Sequence, residues 1–153
     1  MKTLVLGLGN DLLADDAVGL KVVRELGQIT GRPDVEVQET CLASLELLDL
    51  LVGFDRAILV DAVLTETGSV GDIYELSPES LDTGLTPTSL HHIDLPHVLA
   101  MGKGLGLKMP DDVRILAVKA KDITTFGGPC CAEVEAAVPR ILDLIEAQLA
   151  TTA

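Results

Sequence analysis

The sequence predicts an α/β protein: a three-layer α/β/α sandwich on a mostly parallel, twisted sheet of about five strands. Three observations lead there. Fully apolar runs of strand length recur, TLVLGL at 3–8 and AILV at 57–60, the pattern of strands buried on both faces. Segments with apolar residues three and four apart alternate with them, as expected of helices that cover those faces. The core must also be aliphatic, because 48% of the chain is hydrophobic but only 2% is aromatic, namely Phe54, Tyr74 and Phe126.

Thr3 to Leu8 form the first strand, ended by Gly9-Asn10. From Asp15 the period changes: Val18, Val22 and Leu26 share one helical face with Val23 beside them, predicting a helix from about Asp16 to Gly27. After the turn GRPD, Val35 to Glu39 alternate as a half-exposed strand, and Leu45, Leu47, Leu48 and Leu51 mark a second helix. Ala57 to Val60 are a buried strand stopped at Asp61, and Asp72 to Leu76 read as an amphipathic strand. Residues 77–93 hold Pro78, Gly84 and Pro87 and predict a long irregular connection of the kind that has a function. Asp94 and Pro96 open a short third helix carrying Leu95, Val98 and Leu99, and Val113 to Val118 are the last strand. Val134, Val138, Ile141, Ile145 and Leu149 outline a long C-terminal helix, with Pro139 the expected place of a kink.

A chain of 153 residues has the size of one domain, here 1–153. Its net charge of -13, from 24 acidic and 11 basic residues, sets nucleic acid and anionic membranes aside as partners. An acidic field suits a cation or a basic protein segment, or serves solubility alone. Cys41, Cys130 and Cys131 are an odd set without a CxxC pair, which argues against a disulfide framework or a thiolate zinc site and fits a reducing cytoplasm. The start MKTLVLGLGN breaks at Gly7, leaving no room for a signal h-region. No stretch reaches the roughly 18 uninterrupted apolar residues of a membrane span.

In open α/β sheets ligands collect outside the carboxyl ends of the strands. The GLGN turn lies there, but the dinucleotide fingerprint beginning at Gly7 needs glycine at position 12, where Leu12 stands. Gly7 and Gly9 are left to form a tight turn and to let backbone approach closely. Asp15 and Asp16 open a helix, where a carboxylate is a good cap, but two in a row exceed what a cap needs. Asp61 follows four apolar residues, and a carboxylate so near a core takes a cation or a hydrogen-bond partner. His91 and His92 fall in the long connection and His97 on the surface of the third helix. Each alone is an ordinary solvated histidine. Two carboxylates and one imidazole on a shared strand edge are an oxygen, oxygen, nitrogen set that suits a divalent first-row ion with positions left open. Nucleophilic schemes fare worse: no GxSxG elbow appears, and Cys130-Cys131 sits in a Gly-Pro loop without a paired base.

Three segments, LVLGLGNDLLADDAVGLKVV, AILVDAV and SLHHIDLPHVLAMGKGLG, resemble in order and spacing the hydrogenase maturation proteases, across about residues 2 to 148. These aspartic-type, metal-dependent endopeptidases trim a C-terminal extension from the large subunit of nickel-iron hydrogenases. The resemblance implies that Asp16, Asp61 and His91 read the metal, His91 rather than His92 because it stands two after Ser89. It implies nickel supplied by the substrate precursor, with other divalent metals entering the site in isolation. It also implies the large-subunit precursor as partner and a cytoplasmic setting. Thr40-Cys41-Leu42-Ala43-Ser44 depart from the Gly-Gly-Thr type loop that often lines the family's substrate cleft. The rival readings are a non-catalytic nickel-binding or scaffold protein for hydrogenase assembly, and a hydrolase on the same architecture with a permanent metal.

Overall fold

A computed structural model of the chain describes residues 1–41, 45–82 and 95–151. The elements run β1 (Thr3–Leu8), a 3₁₀ turn (Ala14–Ala17), α1 (Val18–Ile29), β2 (Val35–Thr40), α2 (Glu46–Leu51), β3 (Arg56–Val63) and β4 (Ile73–Leu76). A second 3₁₀ turn (Pro78–Asp82), α3 (Leu95–Gly104), β5 (Asp112–Lys119) and α4 (Ala132–Ala150) complete them. The sheet order is β2-β1-β3-β5-β4, parallel except for the antiparallel edge strand β4.

Strand alternation sorts the core into two layers. Val5 of β1, Ile58, Val60 and Ala62 of β3, and Leu116 and Val118 of β5 pack with Val22 and Leu26 of α1 and Ile141 and Ile145 of α4. Leu4, Leu6, Ala57, Leu59, Val113 and Ile115 face the other way, against Leu47 and Leu51 of α2 and Leu95 and Val98 of α3. Both faces of the sheet are therefore covered, as its continuous apolar strands require. α4 continues through Pro139 as a single helix, its buried face passing from Val138 to Ile141 on either side of the proline. At the opposite end of the sheet from the loops discussed below, buried Arg56 donates to the carbonyl oxygen of Gln148 (2.8 Å) and pairs with Asp112 (3.1 Å). It thereby places a cation at the carbonyl end of α4, where the helix dipole favours one.

Two features position the carboxyl edge of β1 and β3. From β1 the chain crosses to β2 on one side and later returns to β3 on the other, so β1 and β3 flank the point where the strand order reverses. Helix α1 also lies unusually close to these strands. A methyl group at Gly19 would overlap the carbonyl oxygens of Leu8 and Val60, standing 2.5 Å from the latter, and one at Gly7 would overlap the carbonyl of Gly19. Gly19→Ala is expected to push α1 off the sheet and destabilise the fold by about 1–3 kcal/mol. Thermal unfolding followed by circular dichroism checks this.

Candidate active site at the carboxyl edge of β1 and β3

Asp16 lies in the 3₁₀ turn between β1 and α1 and is fully buried. The turn packs against β3, and a side chain at Gly9 would collide with the carbonyl oxygen of Asp16. The tight turn expected of the glycines after β1 is therefore what seats Asp16 at the strand ends.

Asp61 is 4% exposed, and one of its carboxylate oxygens accepts the N–H of Ala62 (2.8 Å). The strand does not stop there, as the apolar run implied. β3 continues to Val63 because its pairing with β5 runs through Asp61↔Ala117 to Val63↔Lys119. Its pairing with β1 ends one residue earlier, at Gly7↔Val60. Asp61 is thus the first residue of β3 beyond its pairing with β1, at the point where strand order reverses. Alternation puts its side chain on the same face as Ala57 and Leu59, the face covered by α2 and α3.

The third predicted site residue, His91, lies outside the described residues, as do His92, Ser89 and Leu42 to Ser44. His97 is exposed on α3, as its place in the sequence implied. Among the described residues no three histidine, cysteine, aspartate or glutamate side chains converge as a group able to hold a metal. Buried Asp16 and Asp61 supply oxygen donors of the right chemistry for a divalent ion, and they require a further donor.

Asp15 and Asp16 have separate roles. The carboxylate of Asp15 accepts the backbone N–H groups of Lys121 (2.8 Å), Asp122 (3.0 Å) and Cys131 (2.7 Å), with the Cys131 thiol 3.5 Å away. Asp15 therefore brackets the β5–α4 loop and faces the amino end of α4, where the helix dipole favours a negative charge. The same loop is tied again by the backbone bond from Gly127 N–H to Leu12 carbonyl (2.9 Å) and by the bridge between Leu13 and Phe126. Within it, the hydroxyl of Thr125 and the N–H groups of Thr124 and Thr125 hold the Asp122 carboxyl down to about 2. The Asp15 bracket has no local signature, since its partners are more than 100 residues away in the chain.

Neither thiol in this loop is activated. Burial pushes the Cys130 thiol up to about 11 and raises that of Cys131 as well, the reverse of what a nucleophilic cysteine needs.

With this geometry in view, comparison with known proteins decides the family. The sequence profile of the hydrogenase maturation proteases matches residues 20–148. The Escherichia coli hydrogenase 2 maturation protease is 30% identical over 151 residues, spanning 97% of this chain and 91% of the relative. The chain belongs to the hydrogenase maturation protease family. The solved structure of the E. coli hydrogenase maturating endopeptidase HybD superimposes with a TM-score of 0.85 at 26% identity, covering all of this chain and 94% of the other. The [NiFe] hydrogenase maturation protease HybD from Thermococcus kodakarensis gives 0.75 at 26% identity, over 97% and 99% of the two chains. This hydrogenase maturation endopeptidase thus has the three-layer fold that its sequence predicts. The family match takes in Asp61 and His91 and begins four residues after Asp16.

Replacing Asp15 by Asn turns an amide NH₂ toward backbone donors and is expected to destabilise the endopeptidase by about 1–3 kcal/mol. Urea unfolding of the purified variant measures it.

Proposed function

We propose that this endopeptidase removes a C-terminal peptide from the nickel-loaded precursor of a nickel-iron hydrogenase large subunit, with Asp16, Asp61 and His91 taking hold of the nickel. The observation that carries the reading is the burial of two carboxylates, from the β1–α1 turn and from β3, at one strand edge of a hydrogenase maturation protease. Buried carboxylates are costly unless paired with a cation or with hydrogen-bond donors, and a substrate-borne metal adds two positive charges to an acidic edge.

His91 fits as the nitrogen donor. It stands four residues before Leu95, whose side chain is buried in the core on the face toward which Asp61 points. Four residues of extended chain reach about 14 Å. Two oxygens and one nitrogen leave coordination positions for ligands that the precursor itself brings, and other divalent ions occupy the same set in the isolated protein. The metal is accordingly part of the substrate.

Cleavage then needs only water, which adds to the carbonyl carbon of the scissile bond. The C–N bond breaks, the mature subunit keeps a new carboxyl terminus, and the tail leaves with the amine. A carboxylate at the site, or the metal's charge, polarises that water. Requiring nickel before cleavage makes processing a check on loading. Among the described residues no helix is long and apolar enough to cross a membrane, and three free cysteines fit a reducing cytoplasm.

The test is to incubate the protein with nickel-loaded and nickel-free precursor and follow the precursor by intact mass. Loss of a C-terminal fragment from the loaded form alone supports the reading. A bound but uncut precursor contradicts it and favours a non-catalytic nickel-binding scaffold. Asp61→Asn and His91→Ala are each expected to abolish trimming with helical content unchanged. Wild-type trimming by either variant would remove that residue from the site.

A further inference from the structure

Arg24, on the outer part of α1, makes four hydrogen bonds to two carboxylates that come from different segments. Its Nε and Nη2 donate to Glu39 at the end of β2 (2.7 and 2.8 Å). Its Nη1 and Nη2 donate to Asp11 in the loop after β1 (2.9 and 2.7 Å). Both segments lead into the functional edge. The Asp11 loop runs directly into the turn that carries Asp16, and β2 runs through Thr40 toward residues 41–44.

The Asp11 loop needs holding for two reasons. Ala14 sits at φ +38°, a left-handed conformation that a residue with a Cβ adopts only under constraint. The edge is also crowded with carboxylates: Asp11, Asp15, Asp16, Glu39 and Asp61. Asp11 and Glu39 share one guanidinium and repel each other without it. The guanidinium keeps both carboxyls below the usual carboxylate range, chiefly through its hydrogen bonds to them. Single exposed ion pairs contribute little, but a planar fork engaging two carboxylates at once is geometrically restrictive.

We propose that Arg24 is a positioning residue for the reaction: by clamping Asp11 to Glu39 it holds the strained loop 9–14, and so Asp16, in place at the strand ends. The proposal rests on the reading of Asp16 as a site residue.

Hydrogen exchange on the full chain tests the clamp without any substrate. In Arg24→Met, the amides of Leu13 and Asp16, bonded to the carbonyls of Asn10 (3.1 Å) and Leu13 (2.8 Å), are expected to exchange on the order of tenfold faster, with Val5 and Ile58 unchanged. Trimming of nickel-loaded precursor is expected to fall on the order of tenfold in kcat/KM, because misplacing a site residue is costly even when every site group is present. Arg24→Lys, a point charge that cannot engage both carboxylates as a fork, recovers part of the loss. Adding Asp11→Asn and Glu39→Gln to Arg24→Met removes the repulsion and also recovers part.

Unchanged exchange at residues 11–16, or a uniform acceleration that includes the sheet, overturns the clamp. So does loss of trimming in Arg24→Met that neither Lys nor the neutralising pair relieves. If the wild-type protein does not trim the loaded precursor, the proposed function fails, and the exchange experiment still decides the clamp.

Discussion

The constraint on which the site depends is the contact between helix α1 and the first and third strands. Backbone meets backbone there, since the carbonyl of Gly19 stands where a Cβ on Gly7 would be, and the carbonyls of Leu8 and Val60 stand where one on Gly19 would be. Protein interiors tolerate no overlap at such distances, so glycine at these positions sets the separation between helix and sheet. That separation sets the position of the turn preceding α1. Asp16 is in that turn, and β3 brings Asp61 to the same edge just past its pairing with β1. Packing of the turn against β3 therefore seats two carboxylates from distant segments at one strand edge.

Holding acidic groups at a strand edge carries an electrostatic cost, and the structure distributes it. Asp15 spends its charge on three backbone N–H groups of the β5–α4 loop. Asp11 and Glu39 share the guanidinium of Arg24. Asp122 is satisfied by the threonines that follow it. Asp16 and Asp61 are buried at the same strand edge, Asp61 with one carboxylate oxygen on the N–H of Ala62. The exposed apolar residues on the adjoining loops, Leu12 at 60% and Phe126 at 75%, lie on the two segments that the Gly127–Leu12 hydrogen bond joins.

The fold was legible because its signals are local. Continuous apolar runs mark β1 and β3, helical spacing marks α1 and α4, and the strand-end rule points to the residues after Leu8 and Val60. Where the reading missed, the cause was non-local. β3 outlasts its apolar run because β5 continues to pair with it, which moves Asp61 from beyond the strand to within it. Asp15 and Asp16 look alike in sequence, and only partners more than 100 residues away separate a loop bracket from a candidate ligand. Arg24 shows nothing on its own helix face beyond a solvated cation, since its partners belong to another loop and another strand. His91 owes its assignment to its motif, as it falls outside the described residues.

The central claim is that this edge takes direct hold of the metal carried by the substrate. The nickel X-ray absorption spectrum of a loaded precursor whose scissile bond has been made uncleavable, recorded with and without the protein, tests it most directly. Addition of the protein is predicted to introduce new oxygen and nitrogen scatterers at the nickel. A complex that forms with the nickel spectrum unchanged would contradict the account and place recognition elsewhere on the precursor.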